Sequence, residues 1–360
     1  MLKRLFSRTP KTYQVDVEPF GATVTVGARE TILKAALDAG LAYPFECQTG
    51  ACACCKALLV EGKVKALTDL AYVFDMEEIR DGYILPCQAL ARSNLKIRVT
   101  ALDDGLETIP SRRTSGALTS VTPLTRDILE VRVSLAEPMD YYAGQYANLS
   151  VPGVDASRSY SFAEAPGRDG SEELSFHIRL LPDGEVSGWF AAADRVGAVI
   201  GVDGPYGVLR LRPADVPIVC IAGGSGMAPI KAILEQGGSE GVSRPVVYLY
   251  GGRTQADLYD DAVVATLTAK WAGPIRYLPV LSQEPEDSAW VGARGDVADF
   301  IRKVDDFDLR GCQAYLCGPP AMIDAALPIL ATAGVRGRDI YFDKFTNRGQ
   351  QNGKGVGDNR

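Results

Sequence analysis

Four cysteines place the strongest constraint on how this chain can fold. Cys47, Cys52 and Cys55 form a C-x4-C-x2-C run, and Cys87 follows after 31 intervening residues. Four thiolates at this spacing match the plant-type arrangement that holds a [2Fe–2S] cluster. Each iron needs two thiolates, and a short loop that contains Gly50 can turn its backbone N–H groups toward the sulfides. The pattern therefore predicts a small cluster-bearing domain with these four cysteines as metal ligands.

Two further roles for the cysteines stay open at this point. They could be buried free thiols or zinc ligands, although zinc sites more naturally show two paired C-x2-C knuckles. Cys54 is an additional thiol next to Cys55. Because the C-x4-C-x2-C register favours Cys55 as the ligand, we expect Cys54 to pack in the interior.

The length and composition exclude several classes of protein. At roughly 150 residues per domain, 360 residues suggest two or three domains. The formal net charge of -7 disfavours a nucleic-acid partner, which usually needs a basic face. No apolar run of about 18 residues is present, so we expect no membrane span. A reducing, cytoplasmic location is the default, and it makes the eight cysteines poor disulfide candidates. The single histidine, His177, disfavours a Ser-His-Asp triad or a histidine-based metal site, and we expect it to be a structural or surface residue rather than a catalytic one.

The hydrophobic pattern divides the chain into three compact segments. The first contains alternating strands and one helix, Thr31–Leu41, for which Gly40 is the predicted end signal. Short alternating strands in the second suggest an antiparallel barrel or sandwich. Buried apolar strands alternate with helices in the third, which indicates a parallel sheet. The predicted ranges are 1–11 for a basic leader, 12–102 for the cysteine-bearing domain, 103–113 for a linker, 114–213 for the barrel, 214–346 for the α/β domain and 347–360 for a disordered tail.

This arrangement of a cysteine loop, a barrel and an α/β segment resembles the ferredoxin-fused reductases of bacterial multicomponent oxygenases, of the phenol hydroxylase and benzoate dioxygenase reductase type. The resemblance covers about residues 12–346. It implies a β-grasp [2Fe–2S] ferredoxin domain, an antiparallel flavin-binding β-barrel and an α/β parallel-sheet NAD-binding domain. Position 53 departs from the family pattern, because it is Ala53 where Gly is common.

Two motifs in the barrel segment resemble the flavin-binding motifs of this superfamily. In the run Arg158-Ser-Tyr160-Ser161, the resemblance implies that Arg158 binds a phosphate oxygen and that Tyr160 lies against the isoalloxazine ring. Ser161 would hydrogen-bond the ring near N5, where hydride arrives. The run Gly184-Glu-Val-Ser187 resembles the second motif, in which a helix N-terminus meets the pyrophosphate. FAD is favoured over FMN, because the FMN-using relatives place their cluster domain at the C-terminus. An edge strand with a surface arginine is the alternative interpretation of the first run.

A glycine-rich turn opens the third segment. The sequence predicts a buried strand, the turn Gly223-Gly224-Ser225-Gly226, and a helix with Pro229 at its first position. The turn is not a G-x-G-x-x-G, so the usual dinucleotide fingerprint does not apply. It resembles the turn with which this superfamily approaches a pyrophosphate, and a tight structural turn is the alternative.

A second nucleotide motif lies about 90 residues further on, at Cys317-Gly318-Pro319. In the family a C-G-P run approaches the nicotinamide, which implies that Cys317 contacts C4 and seats the ring rather than acting as a nucleophile. The alternative is a helix-capping turn with a buried cysteine. Arg253 would lie near the ribose 2′ position, where it could accept a 2′-phosphate, but Asp257 lies close in sequence and favours NADH over NADPH. Phe345, in the terminal strand, would shield the flavin or belong to the core.

These parts predict an NAD(P)H-dependent oxidoreductase. Hydride would pass from NADH to FAD, and single electrons would then pass through the [2Fe–2S] cluster to an oxygenase component or a separate ferredoxin. Ser161 and Cys317 are the predicted catalytic residues, and we expect a monomer. A reductase for sugar deoxygenation and a cluster-based redox sensor share these modules and stay open as alternatives.

Overall fold

A computed structural model describes residues 11–41, 43–45, 50, 53–100, 109–259, 261–304 and 307–345, without the side chains of residues 72 and 261–263. The predicted leader and C-terminal tail lie outside these residues, apart from Lys11. The chain forms two compact units, Met1–Thr108 and Ile109–Arg360. The predicted domain boundaries stay predictions. The first strand of the second unit begins at Arg112, two residues before the predicted start of the barrel.

The first unit is built on a five-stranded mixed sheet. Strand order is β2-β1-β7-β3-β5, in which β1 and β7 pair in parallel and the other pairs are antiparallel. Tyr13, Val15 and Val17 alternate with exposed residues along β1, so one face of the sheet is buried. The elements are β1 (Thr12–Glu18), β2 (Ala22–Gly27), α1 (Ile32–Asp38), β3 (Ala57–Glu61), β4 (Val64–Ala66), α2 (Met76–Asp81), β5 (Tyr83–Ile84), β6 (Ala89–Ala91) and β7 (Leu95–Val99).

Helix α1 is shorter than predicted. Thr31 caps its N-terminus, since its side chain accepts a hydrogen bond from the Lys34 N–H. Gly40 has a φ of +80°, and the Leu41 N–H bonds back to the Ala36 carbonyl. This left-handed residue ends the helix at Asp38, three residues before the predicted end at Leu41.

The second unit begins with a six-stranded antiparallel barrel. Strand order is β11-β10-β13-β8-β9-β12, and a bridge between Phe162 and Phe176 joins the two outer strands. These two phenylalanines lie in the barrel core with their ring centroids 5.5 Å apart. The elements are β8 (Arg112–Pro123), β9 (Ile128–Met139), β10 (Tyr146–Ser150), β11 (Arg158–Ser161), β12 (Ser171–Arg179), α3 (Glu185–Ala191) and β13 (Val199–Tyr206).

The remainder of this unit is a parallel sheet with helices. Its strand order is β17-β16-β15-β14-β18-β19, and every pair is parallel. Strands β14 and β18 are buried along their whole length, as continuous apolar runs predict. The elements are β14 (Ile218–Gly223), α4 (Met227–Ser239), β15 (Val246–Gly252), α5 (Asp261–Lys270), β16 (Ile275–Leu281), β17 (Ala293–Arg294), α6 (Val297–Phe300), β18 (Gln313–Gly318), α7 (Pro320–Thr332) and β19 (Ile340–Lys344).

The direction of strand order reverses between β14 and β18. Chain order runs outward from β14 to β17 on one side, and the chain then returns to β18 on the other. In open α/β sheets this reversal leaves a crevice at the carboxyl ends of the strands, where ligands bind. Helix α4 begins at Met227, so Pro229 occupies its third position rather than the predicted first. The prediction was wrong here because the chain turns into the helix directly after the glycines.

No helix among the described residues is both long enough and apolar enough to cross a membrane.

Two neighbouring glycines in α4 provide a matched test of packing. Gly238→Ala should raise the free energy of unfolding by about 0.5–1 kcal/mol, because alanine restricts the unfolded chain. Its methyl group would meet nothing closer than 3.7 Å. Gly237→Ala should lower the free energy of unfolding by about 1–3 kcal/mol. Its methyl group would lie 2.8 Å from Trp271 Cζ3 and 2.9 Å from Leu211 Cδ2. Denaturant titration followed by far-UV circular dichroism measures the free energy of unfolding of each variant. Changes of the same sign in the two variants would contradict this packing.

Candidate functional site

The first site brings together two of the four predicted metal ligands. Cys55 precedes β3, and Cys87 lies in a single 3-10 turn, Pro86–Gln88. Both side chains are buried. A hydrogen bond to Cys87 raises the pKa of the Cys55 thiol, and burial raises it further. Two buried thiols that meet from separate segments suit a cluster held by paired thiolates. Cys47 and Cys52 lie outside the described residues.

Two described residues of the cysteine loop, Gly50 and Ala53, have left-handed backbone conformations. Gly50 has a φ of +82°, and a Cβ there would lie 2.8 Å from the Gln88 side chain, next to Cys87. Ala53 has a φ of +57°, which costs a residue with a Cβ roughly 1–2 kcal/mol. This conformation explains why glycine would be the ordinary choice at position 53. The sequence did not single out Tyr43, whose buried hydroxyl donates to the Cys55 carbonyl at 3.4 Å.

The second site is the β10–β11 hairpin of the barrel. Arg158 and Tyr160 are alternate residues of β11 and therefore share one face of the strand. Ser159 points to the other face, where its hydroxyl donates to Asn148 Oδ1 at 2.7 Å and fixes the register. Ser161 is buried at the end of the strand. The burial of Tyr160 itself raises the pKa of its hydroxyl. The hairpin thus has a guanidinium, an aromatic ring and a buried hydroxyl within four residues.

The second predicted flavin motif lies where α3 begins. Gly184 is the N-cap residue of α3, and its carbonyl accepts a hydrogen bond from the Ser187 hydroxyl at 3.3 Å. The Ser187 hydroxyl also accepts the Leu181 N–H at 3.4 Å. Ser187 is also buried. Its two hydrogen bonds close the turn that leads into α3.

The third site is the crevice between β14 and β18. A Cβ on Gly226 would lie only 2.2 Å from the Cys317 carbonyl oxygen, and one on Gly318 would lie 2.8 Å from the Gly223 carbonyl oxygen. The two predicted nucleotide motifs therefore touch through their backbones, without side chains between them. Pro319 lines the same crevice and precedes α7. This arrangement leaves N–H groups and a helix N-terminus open to a phosphate group.

Two further predicted residues, Cys317 and Phe345, lie next to the Gly318 turn. Cys317 is fully buried, and burial raises the pKa of its thiol, so it is protonated at neutral pH. That state agrees with a packing role and not with a nucleophile. Phe345 follows β19, and its N–H donates to the Gly318 carbonyl at 2.9 Å. Phe345 is therefore tied to the Cys317-Gly318 turn and is half-buried there.

A cleft of about 190 Å³ opens at the carboxyl ends of the parallel strands. Arg253 Nη2 lies 2.7 Å from Asp257 Oδ1 and 2.9 Å from Asp127 Oδ2. Sequence reasoning missed Asp127, which lies in the turn between β8 and β9 of the barrel. It also missed Arg179 at the end of β12, whose Nη1 atom would lie 3.3 Å from a Cβ on Gly224. Nothing in the local sequence of either residue points to the cleft, because barrel packing alone places them there.

His177 belongs to the contact between the barrel and the glycine-rich turn. Its Nδ1 atom lies 3.3 Å from the Tyr259 hydroxyl, and that hydroxyl donates to the Gly224 carbonyl at 3.1 Å. The Tyr250 hydroxyl donates to the same carbonyl at 3.2 Å. His177 is buried, and its position agrees with the predicted structural role.

These sites define a class of protein: a flavin- and nicotinamide-dependent reductase with an iron–sulfur module. Three family models match the chain in the same order. They are the 2Fe-2S iron-sulfur cluster binding domain at residues 15–92, the oxidoreductase FAD-binding domain at 115–211 and the oxidoreductase NAD-binding domain at 220–327.

Whole proteins with this organisation are similar over nearly the full chain. The electron transfer component of the xylene/toluene monooxygenase of Pseudomonas putida is 37% identical, over 94% of this chain and 95% of its own. The reductase component of the phenol 2-monooxygenase of a Pseudomonas species is 33% identical, over 93% of this chain and 94% of its own. Among solved structures, an Amycolatopsis cytochrome P450 reductase has a TM-score of 0.71 and 32% identity, and the match covers 93% of this chain and 99% of that chain. The ferredoxin reductase in carbazole 1,9a-dioxygenase has a TM-score of 0.66 and 29% identity, over 94% and 100%.

The chain belongs to the family of ferredoxin-fused reductase components of multicomponent oxygenases. The predicted fold class, the [2Fe–2S], FAD and NAD cofactors and the class of NAD(P)H-dependent reductase are confirmed. The individual site residues stay predictions.

The single histidine makes its protonation state directly measurable. Burial, followed by the positive charges of Lys231 and Arg132, lowers the pKa of His177 to about 3. The imidazole resonances of protein labelled with 13C-histidine should therefore stay those of the neutral ring from pH 8 to about pH 5. The unfolded chain takes up this proton near its usual pKa of 6.5, so this residue destabilises folding progressively as the pH falls from 6.5 toward 3. A denaturant-unfolded sample is the control, and a midpoint near 6.5 in the folded protein would contradict the burial.

Proposed function

We propose that this chain takes electrons from NADH and delivers them singly to an oxygenase component. The observation that carries the proposal is the crevice in which the Gly223–Gly226 turn and the Cys317-Gly318-Pro319 turn touch, with barrel residues on its other side. The names of similar proteins point the same way, because they are electron transfer and reductase components of oxygenases. When bound, nicotinamide supplies hydride, FAD accepts two electrons and releases them one at a time, and the cluster carries one.

The barrel hairpin is the proposed flavin site. Arg158 has the fork geometry that suits a phosphate oxygen. Tyr160 lies on the same face and offers its ring to the isoalloxazine, and Ser161 offers its hydroxyl to the ring near N5. Gly184 and Ser187 shape the turn that would receive the pyrophosphate. Phe345 would cover the flavin from the side of β19.

The crevice is the proposed nicotinamide site. Gly223, Gly224 and Gly226 allow the pyrophosphate to approach the backbone, where N–H groups can bind it. Gly318 and Pro319 would line the nicotinamide pocket, and Cys317 would position C4 through packing, since its thiol stays protonated. The chain's role here is to orient the ring and exclude water.

The ion pairs of Arg253 support NADH over NADPH. The Arg253 guanidinium is already held by Asp257 and Asp127, at 2.7 and 2.9 Å. A 2′-phosphate would have to displace a carboxylate from Arg253, which costs free energy. Arg126 and Arg179 pair with the same two carboxylates, at 3.6 and 3.3 Å, so it is the occupied Arg253, and not the net charge of the cleft, that disfavours the phosphate. The ribose hydroxyls of NADH require no such displacement.

Cys55 and Cys87, with Cys47 and Cys52, are the proposed cluster ligands. We further propose that the chain works as a monomer in the cytoplasm, and that a separate ferredoxin could replace the oxygenase component as the acceptor. Its net charge of -7 disfavours a nucleic acid as partner.

An anaerobic titration followed by visible spectroscopy tests this proposal. NADH should bleach the flavin and cluster bands of the unmodified protein, and NADPH should do so only at much higher concentration. Cys87→Ser should keep NADH-dependent flavin bleaching but lose reduction of cytochrome c, because one cluster ligand is missing. Cys312→Ser is the control, since this buried cysteine belongs to the parallel-sheet core. Absence of flavin bands would overturn the proposal, and full cytochrome c reduction by Cys87→Ser would remove Cys87 from the ligand set.

Arg158→Ala tests the flavin site. Loss of a charged hydrogen bond costs about 1.5–3 kcal/mol, so FAD should bind roughly ten- to a hundredfold more weakly. FAD affinity is measured by reconstituting the flavin-free protein. Ser159→Ala is the matched control, because the Ser159 hydroxyl is already bonded to Asn148 and is not among the proposed flavin contacts. Equal affinity in the two variants would remove Arg158 from the site.

A further inference from the structure

Helix α4 holds the barrel with polar side chains rather than with apolar ones alone. Lys231 Nζ donates to the Ala163 carbonyl at 2.8 Å. One turn later, Glu235 accepts the Ala165 N–H at 3.1 Å. The two side chains also pair with each other, with Nζ 3.0 Å from Glu235 Oε1. Together they bind one carbonyl and one N–H of the backbone segment that follows β11.

A third side chain of α4 binds the barrel on the other side of the hairpin. Gln236 Oε1 accepts the Ala143 N–H at 3.0 Å. Ala143 lies three residues before β10, and Ala163 lies two residues after Ser161. The three side chains therefore hold the two open ends of the β10–β11 hairpin, which carries Arg158 and Tyr160.

The same helix begins at the nucleotide motif. Its first residue, Met227, directly follows Gly226 of the glycine-rich turn. A helix of 13 residues is a stiff rod of about 20 Å. One rigid element therefore connects the proposed nicotinamide site at its start with the proposed flavin hairpin at Lys231, Glu235 and Gln236.

The choice of residues indicates that this contact serves position and not only stability. The Lys231 side chain is only 8% exposed. Burial of an ammonium group is costly, and an apolar residue of similar volume is often at least as stabilising as a buried ion pair. Directional hydrogen bonds to main-chain atoms fix a register that apolar contacts leave free to slide, because dispersion has no preferred direction.

We propose that Lys231, Glu235 and Gln236, the α4 clamp, set the distance and angle between the nicotinamide and flavin sites. They are positioning residues, which act through the backbone around the hairpin and need not touch either cofactor. The inference rests on the proposed function, since it assumes hydride transfer between these two sites. Hydride transfer depends steeply on geometry, and a displacement of about 1 Å can cost about a hundredfold in rate.

Stopped-flow reduction of the FAD-loaded protein at saturating NADH tests the clamp. Lys231→Met should slow flavin reduction by about tenfold or more. The primary isotope effect with 4-deuterated NADH should rise, and the long-wavelength charge-transfer absorbance on mixing should fall. FAD content and NADH affinity should change little. Lys231→Arg keeps a donor for the Ala163 carbonyl and should restore most of the rate.

Gln236→Ala removes one hydrogen bond to the barrel, together with an exposed one to Glu240 within α4, and should give a smaller effect of the same kind. Arg112→Met is the matched control, because Arg112 also joins an ion pair, with Glu137, and donates to barrel carbonyls, but not at the hairpin. It should leave flavin reduction unchanged. If Lys231→Met does not fold, Glu235→Gln and Gln236→Ala decide the question with the same three readouts.

The outcomes separate the clamp from the proposed function. Unchanged rates and isotope effects in folded clamp variants would overturn the clamp, while the unmodified protein is still reduced by NADH. A slower rate with an unchanged isotope effect and charge-transfer absorbance would also overturn it, because that result indicates general destabilisation. No reduction of the unmodified protein by NADH would overturn the proposed function, and the clamp's role with it.

Discussion

At the reversal point of the parallel sheet, two backbone turns meet so closely that side chains cannot fit between them. Gly226 approaches the Cys317 carbonyl to a distance at which a Cβ would lie 2.2 Å away. This contact fixes where α4 and α7 begin relative to each other and leaves their N-terminal N–H groups at one crevice. The position of the nucleotide site, and of the barrel residues that face it, depends on this approach.

The barrel contributes charged and polar side chains to the crevice of the parallel sheet. Asp127 and Arg179 reach the crevice from the ends of barrel strands, and His177 reaches the glycine-rich turn through Tyr259. Most of these contacts are hydrogen bonds with a defined direction. Their partners are backbone atoms of the turn or charged groups of the cleft, so they fix orientation as well as distance. A site formed by the barrel and the parallel sheet needs both a fixed orientation and a fixed distance, because hydride transfer has strict geometric requirements.

Local sequence patterns were sufficient for most of the fold. Continuous apolar runs identified β14 and β18, because a strand that is buried on both faces is apolar at every position. Alternation of apolar and polar residues identified β1 and β9, because a strand that is buried on one face is apolar at every second position. Element ends were less predictable. Gly40 was correctly predicted to end α1, but the last helical residue is Asp38 rather than Leu41. Helix α4 begins before Pro229, since the chain geometry at a turn depends on contacts that the local pattern does not contain.

The sequence by itself determined the chemistry: four cysteines at cluster spacing, a flavin-type strand motif and two glycine-containing turns in a fixed order. Each is a local arrangement, so its spacing along the chain carries the information. Only the tertiary structure decided which groups meet. Arg253 pairs with Asp127, which lies 126 residues away, and Lys231 binds a carbonyl that lies 68 residues away. Such pairings follow from how the barrel packs on the sheet, and packing depends on the complementary shapes of whole surfaces rather than on any short run of residues.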